Sequence, residues 1–111
     1  MYKELINKVA IVTGSYGDIG SSICKHLAEN KVKIALVGRD FKKLSIQKEK
    51  LIDDGSEHIE TYQVDVSDYD NFKIATDNVL EKWDNIDILV NNAGITRDNI
   101  IMRLSDKDWN S

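Results

Sequence analysis

The sequence predicts an α/β fold, a doubly wound parallel sheet built in the order βαβαβαβ. Four apolar, β-branched runs recur at nearly even intervals, at Val9 to Thr13, Val32 to Val37, Ile59 to Val64 and Ile86 to Val90. Helical patterns fill the gaps between them. The strands are almost continuously apolar rather than alternating, as expected of a parallel sheet covered on both faces.

Each element has its own signal. The first helix places Ile19, Ile23 and Leu27 at i, i+4 and i+8, one face of a 3.6-residue period. The second uses Phe41, Leu44, Leu51 and Ile52, and the third aligns Phe72, Ala75 or Thr76, Val79 and Trp83. Asn30 and Asp53-Asp54-Gly55 supply turn chemistry after the first two helices, and Ser67 or Asp68 is placed to cap the third. Right-handed crossovers put the first two helices on one face of the sheet. The fourth strand then pairs on the far side of the first, the third helix takes the opposite face, and a switch point opens at the carboxyl end of the first strand. With no strand beyond it, Ile86 to Val90 is expected to be an exposed apolar edge.

The 111 residues are expected to form a single domain, 1–111, with a modest core. A composition of 41% hydrophobic and 31% charged residues is that of a soluble globular protein. The net charge of -4 argues against a nucleic-acid surface, and the lysines from Lys42 to Lys50 read as a solvated helix face. No apolar run approaches the roughly 20 residues that span a bilayer, so no membrane association and a cytoplasmic location are expected. Cys24 is the only cysteine and reads as a small core filler; His26 and His58 lack ligand spacing, so no metal site is assigned.

The most informative stretch is Thr13-Gly14-Ser15-Tyr16-Gly17-Asp18-Ile19-Gly20, where the first strand ends and a helix begins. A glycine-rich bend there brings main-chain N–H groups close to a pyrophosphate, and the helix N-terminus adds its unpaired donors. Glycines needed only for a tight turn are the plain alternative. Three further motifs end the other strands: Gly38-Arg39-Asp40, Asp65-Val66 and Asn91-Asn92-Ala93-Gly94. In a parallel sheet all four loops open at one end and converge on one ligand.

This constellation resembles the short-chain dehydrogenase/reductase family, whose Rossmann-like fold carries a T-G-x-x-x-G-x-G turn and an N-N-A-G strand end. The resemblance runs from about Lys8 to the last residue. The segment Gly94 to Asn99, with Met102-Arg103-Leu104 and Asp108-Trp109, is most similar to bacterial 3-oxoacyl-acyl-carrier-protein reductases and the related acetoacetyl-CoA reductases. The resemblance implies an oxidoreductase of fatty acid synthesis that reduces a 3-oxoacyl thioester on acyl carrier protein or CoA, within a homo-oligomeric parent. It also implies cofactor contacts from Gly14, Ser15, Tyr16, Gly17, Asp18, Ile19 and Gly20. Asp65 would accept from the adenine amino group, Val66 would offer its backbone to the ring, and Asn91, Ala93 and Gly94 would approach the adenosine and ribose. A turn-forming aspartate is the alternative for Asp65.

Cofactor choice is read at the end of the second strand, where an acidic residue would hold the ribose 2′-hydroxyl of NAD. Gly38 stands there and Arg39 follows, which favours the 2′-phosphate of NADP over NAD. An ordinary surface arginine is the other reading. Asp18 occupies the place of the family's middle glycine, with Gly17 shifted one position earlier, and its carboxylate repels a pyrophosphate unless it turns outward as a cap. The family's catalytic serine, tyrosine and lysine are expected beyond Ser111, because Tyr2, Tyr16, Tyr62 and Tyr69 are read as lacking the lysine spacing and the right position. No catalytic residue is assigned, and the chain is expected to be an N-terminal, cofactor-binding portion, inactive alone. A non-catalytic nucleotide-binding or assembly module, an incomplete gene product, and another short-chain alcohol or ketone reductase remain alternatives. A serine and Tyr-x-x-x-Lys encoded after Ser111 would separate them.

Overall fold

The computed structural model describes residues 3–15, 17–91 and 100–103, the last four by backbone alone. After a short 3₁₀ turn at Lys3–Leu5, the elements run β1 (Val9–Thr13), α1 (Asp18–Glu29), β2 (Lys33–Gly38), α2 (Phe41–Asp53), β3 (Ile59–Gln63), α3 (Tyr69–Trp83), β4 (Ile88–Asn91) and β5 (Ile100–Arg103). The sheet order is β3-β2-β1-β4-β5, and the first four of these strands are parallel. This is the doubly wound, Rossmann-like arrangement that the strand spacing predicts, with β1 at its centre.

Alternation along β1 builds two cores, since successive side chains of a strand point to opposite faces. Ala10 and Val12 join Cys24 and Ala28 of α1 and Leu44 and Leu51 of α2. Val9 and Ile11 join Val79 of α3, with Phe72, Leu80 and Trp83 packed around them. The first two helices therefore share one face and α3 covers the other, as right-handed crossovers require.

Three expectations are corrected. In α1 the buried stripe is Gly20, Cys24 and Ala28 rather than Ile19, Ile23 and Leu27. Ile23 and Leu27 pack at its rim, and Ile19 is 57% exposed. Small side chains bring α1 close to the sheet, which larger ones in the centre would prevent. In α2 the stripe is Leu44, Gln47 and Leu51, while Phe41 and Ile52 stand exposed near the helix ends. Lastly, β4 is not an edge. The apolar run Ile100–Arg103 pairs with it antiparallel, Ile88 opposite Arg103 and Asn91 opposite Ile100, and occupies the hydrogen-bonding groups expected to be open.

Candidate cofactor site

The carboxyl ends of β1, β2, β3 and β4 deliver the candidate residues to one rim of the sheet. At the end of β1, Gly14 adopts φ 66°, a left-handed conformation natural to glycine. Gly20, in the first turn of α1, lies against it. A Cβ on Gly20 would collide with the Gly14 carbonyl oxygen and come within 3.0 Å of Gly14 C and Ser15 Cα. Gly17 is different in kind. Its φ is -81°, and the nearest atom to a Cβ there would be Gly14 O at 3.8 Å.

Gly17 is also the N-cap of α1, and among the described residues no side chain caps this helix. The other two helices are capped: Lys43 N donates to Asp40 Oδ1 at 3.1 Å, and Asn71 N donates to Asp68 Oδ1 at 3.2 Å. Asp18, first residue of α1, is exposed and is not the outward cap that would best accommodate it. Ser15 is fully buried, and its Oγ has no hydrogen-bond partner among the described residues. An uncapped helix start beside a glycine bend and an unsatisfied buried hydroxyl are features that a phosphate oxygen would complete. The residues present therefore fit a dinucleotide pyrophosphate.

At the end of β2, Arg39 is exposed and lines a cavity of about 580 Å³ together with Asp40, Phe41, Lys42, Lys43 and Gln63. Asp40 spends its carboxylate on the α2 cap, and Gln63 Nε2 donates to the Arg39 carbonyl at 3.2 Å, joining the loop to β3. Sequence reasoning missed Gln63, Lys42 and Lys43 as neighbours of Arg39, because the lysines matched a solvated helix face. Asp65 lines a cleft of about 400 Å³ with Asn71, Ile74 and Asn78 of α3. Its Oδ1 accepts from Ser67 Oγ at 2.6 Å and Ser67 N at 2.9 Å. Those two bonds, opposed by desolvation and helped least by the Arg39 charge, hold the Asp65 carboxyl below its ordinary range. Asp65 thus forms the turn that was its alternative reading, while Oδ2 makes no hydrogen bond to the described residues. Val66 packs its side chain into the α3-side core, leaving its backbone for any ligand.

At the end of β4, Asn91 is opposite Thr13, and Thr13 Oγ1 donates to Asn91 Oδ1 at 3.1 Å. Tyr16, Ala93 and Gly94 lie outside the described residues, as does the segment from Ile95 to Asn99. The expectation that no tyrosine has the lysine spacing is corrected at one position: Tyr69 has Lys73 four residues later, both in the first turns of α3. Tyr69 is 74% exposed, and Lys73 Nζ is bound to Asp77 Oδ2 at 3.0 Å, which raises the lysine pKa. An exposed phenol beside an ammonium committed to a carboxylate is a surface pair, without the geometry of a proton relay. Cys24 is buried in the core, where desolvation pushes its thiol up to about 12. Among the described residues, no cluster is suited to a metal ion and no helix is long and apolar enough to cross a membrane.

The family model described as short chain dehydrogenase matches residues 8–111. The chain belongs to the short chain dehydrogenase family. The 3-oxoacyl-[acyl-carrier-protein] reductase FabG of Chlamydia trachomatis is 37% identical over 107 residues, and that of Chlamydia pneumoniae is 41% identical over 107 residues. Each alignment covers 96% of this chain and 43% of the relative, so the chain spans less than half the length of these curated relatives. Among solved structures, the L-sorbose reductase of Gluconobacter frateurii, complexed with NADPH and L-sorbose, superposes with a TM-score of 0.76 at 31% identity, covering 94% of this chain and 40% of that one. An NAD+-bound xylitol dehydrogenase gives 0.78 at 31% identity, covering 84% and 35%. Short chain dehydrogenases with this fold are thus seen with either nicotinamide cofactor.

Proposed function

We propose that this chain is the cofactor-binding part, a single domain over 1–111, of an NADP-dependent reductase of 3-oxoacyl thioesters. The parent, a homo-oligomer, would convert a 3-oxoacyl thioester carried on acyl carrier protein or CoA to the 3-hydroxyacyl thioester. The FabG relatives support the substrate class. The cofactor choice is carried by the cationic rim beyond β2, where Arg39, Lys42 and Lys43 line one cavity and Gly38 leaves no carboxylate for a ribose 2′-hydroxyl.

When bound, the nicotinamide supplies the hydride. The chain's own residues bind and orient. Gly14, Ser15, Tyr16, Gly17, Asp18, Ile19 and Gly20 would hold the pyrophosphate, with the α1 N-terminus supplying donors. Arg39 would grip the 2′-phosphate, Asp65 would accept from the adenine amino group, and Val66, Asn91, Ala93 and Gly94 would approach the adenosine and ribose. None of these side chains is assigned the transfer of a proton.

The test titrates NADPH and NADH against the wild-type protein and Arg39→Ala. Loss of a charge-assisted phosphate contact costs about 1.5–3 kcal/mol, so NADPH affinity should fall roughly 10- to 100-fold while NADH affinity stays nearly constant. An equal loss for both cofactors, or none for either, removes Arg39 from the site.

A further inference from the structure

A glutamine interrupts the buried face of α2. Gln47 is 5% exposed and stands between Leu44 and Leu51, which are fully buried in the apolar core. A buried amide is unfavourable without hydrogen bonds, and an apolar residue would continue the stripe. The amide reaches Ser21 of α1, whose Oγ is 3.4 Å from Gln47 Oε1 and 3.1 Å from the main-chain oxygen of Ser15. Ser21 has one hydroxyl proton and donates it over the shorter distance. The ends of a glutamine amide exchange by a flip about the last torsion. With Nε2 toward Ser21, the bonds run consistently from the Gln47 amide to the Ser21 hydroxyl to the Ser15 carbonyl.

We infer that Gln47, acting through Ser21, is a positioning residue for the glycine turn between β1 and α1. The chain of contacts ends on the turn's central described residue, which follows the left-handed Gly14 and carries the unsatisfied buried Oγ. Holding the Ser15 carbonyl sets the peptide plane that leaves Ser15, because the peptide unit is planar. Gln47 also stands one helical turn beyond Lys43, so α2 supports the turn with one residue and lines the cationic cavity with another. The inference rests on the dinucleotide reading for its consequence. Since the pyrophosphate is common to both cofactors, Gln47 should affect NADPH and NADH alike, unlike Arg39.

The test compares Gln47→Met, similar in length but without the amide, with Ser21→Ala, which removes the middle of the chain. Amide hydrogen exchange is followed in the free protein alongside titrations with NADPH and NADH. Exchange should rise at least about threefold at Gly17 and Ser21, whose N–H groups bond to Gly14 O and Gly17 O, while amides of β1 to β4 keep their protection. Both affinities should fall together by about 2- to 10-fold, the equivalent of one neutral hydrogen bond. Unchanged exchange at the two turn amides, or a loss confined to NADPH, overturns the inference. If Gln47→Met does not fold, Ser21→Ala decides by the same criteria. If the wild-type protein binds neither dinucleotide, the cofactor reading fails by itself, and exchange at the turn still decides whether Gln47 positions it.

Discussion

Replacing Gly20 by alanine isolates the contact on which the crevice is built. The added methyl would run into the Gly14 carbonyl and lie 3.0 Å from Gly14 C and Ser15 Cα, all backbone atoms that cannot rotate aside. Overpacking costs about 1–3 kcal/mol, and a collision with backbone belongs at the upper end, about 3 kcal/mol. Alanine gains about 1 kcal/mol over glycine within a helix, so the net loss should be about 2 kcal/mol. For a domain of this size that lowers Tm by about 8 °C. Gly17→Ala is the matched control. A Cβ there would make an ordinary 3.8 Å contact with Gly14 O at an unstrained φ, and the poorer N-cap offsets the stiffer unfolded chain to within about 0.5 kcal/mol. Urea denaturation of both variants, with dinucleotide titration beside it, provides the measurement. If Gly20→Ala matches Gly17→Ala in stability, α1 does not need its close approach to the turn and the packing argument fails.

Ser15→Ala should separate stability from binding. Removing a buried hydroxyl that lacks a partner leaves the free protein as stable as before or up to about 1 kcal/mol more stable, while both dinucleotides bind about 2- to 10-fold more weakly. Parallel losses in stability and affinity would mean that the hydroxyl already has a partner in the free protein. Cys24, with its thiol pushed up to about 12, should resist a thiol-specific disulfide reagent near pH 8 until the protein opens. Because the folded state holds this proton more tightly than the unfolded state does, the contribution to stability is intact below the ordinary value of 9.0 and declines as pH rises toward 12. Rapid labelling under native conditions would place Cys24 outside the core.

The strand order was legible because a parallel sheet covered on both faces leaves long apolar runs, and right-handed crossovers then permit few arrangements. The orientation of α1 was harder to read. Ile19, Ile23 and Leu27 and the set Gly20, Cys24 and Ala28 share the same period and differ by one residue, so periodicity cannot choose between them. The choice is made by distance to β1, a tertiary quantity. The pairing of β5 with β4 is missed for a related reason: of Ile100–Arg103 the sequence reading uses only Met102 and Arg103, as part of a family resemblance, whereas hydrogen-bonding capacity at the β4 edge determines what the strand does here. At the candidate site, the placement of Gly14, Arg39, Asp65 and Asn91 at the strand ends was legible. Gln63, Ser67 and Gln47 were not legible as their supports, since each acts through a partner distant in sequence or through a local turn that polar residues form everywhere.

Asp18 shows how the charge at such a site is balanced by geometry. A carboxylate in the first turn of α1 favours the helix dipole but opposes a bound pyrophosphate. Asp18 is exposed, so water and salt screen its repulsion. Among the described residues no side chain caps the α1 N-terminus, the Ser15 hydroxyl is withheld from water, and the cations of Arg39, Lys42 and Lys43 collect around one cavity. A hydrogen bond made in a desolvated cradle outweighs a screened charge at its margin. That cradle exists because Gly20, Cys24 and Ala28 let the helix settle against β1, so the small residues that looked least informative set the strength of the polar site above them.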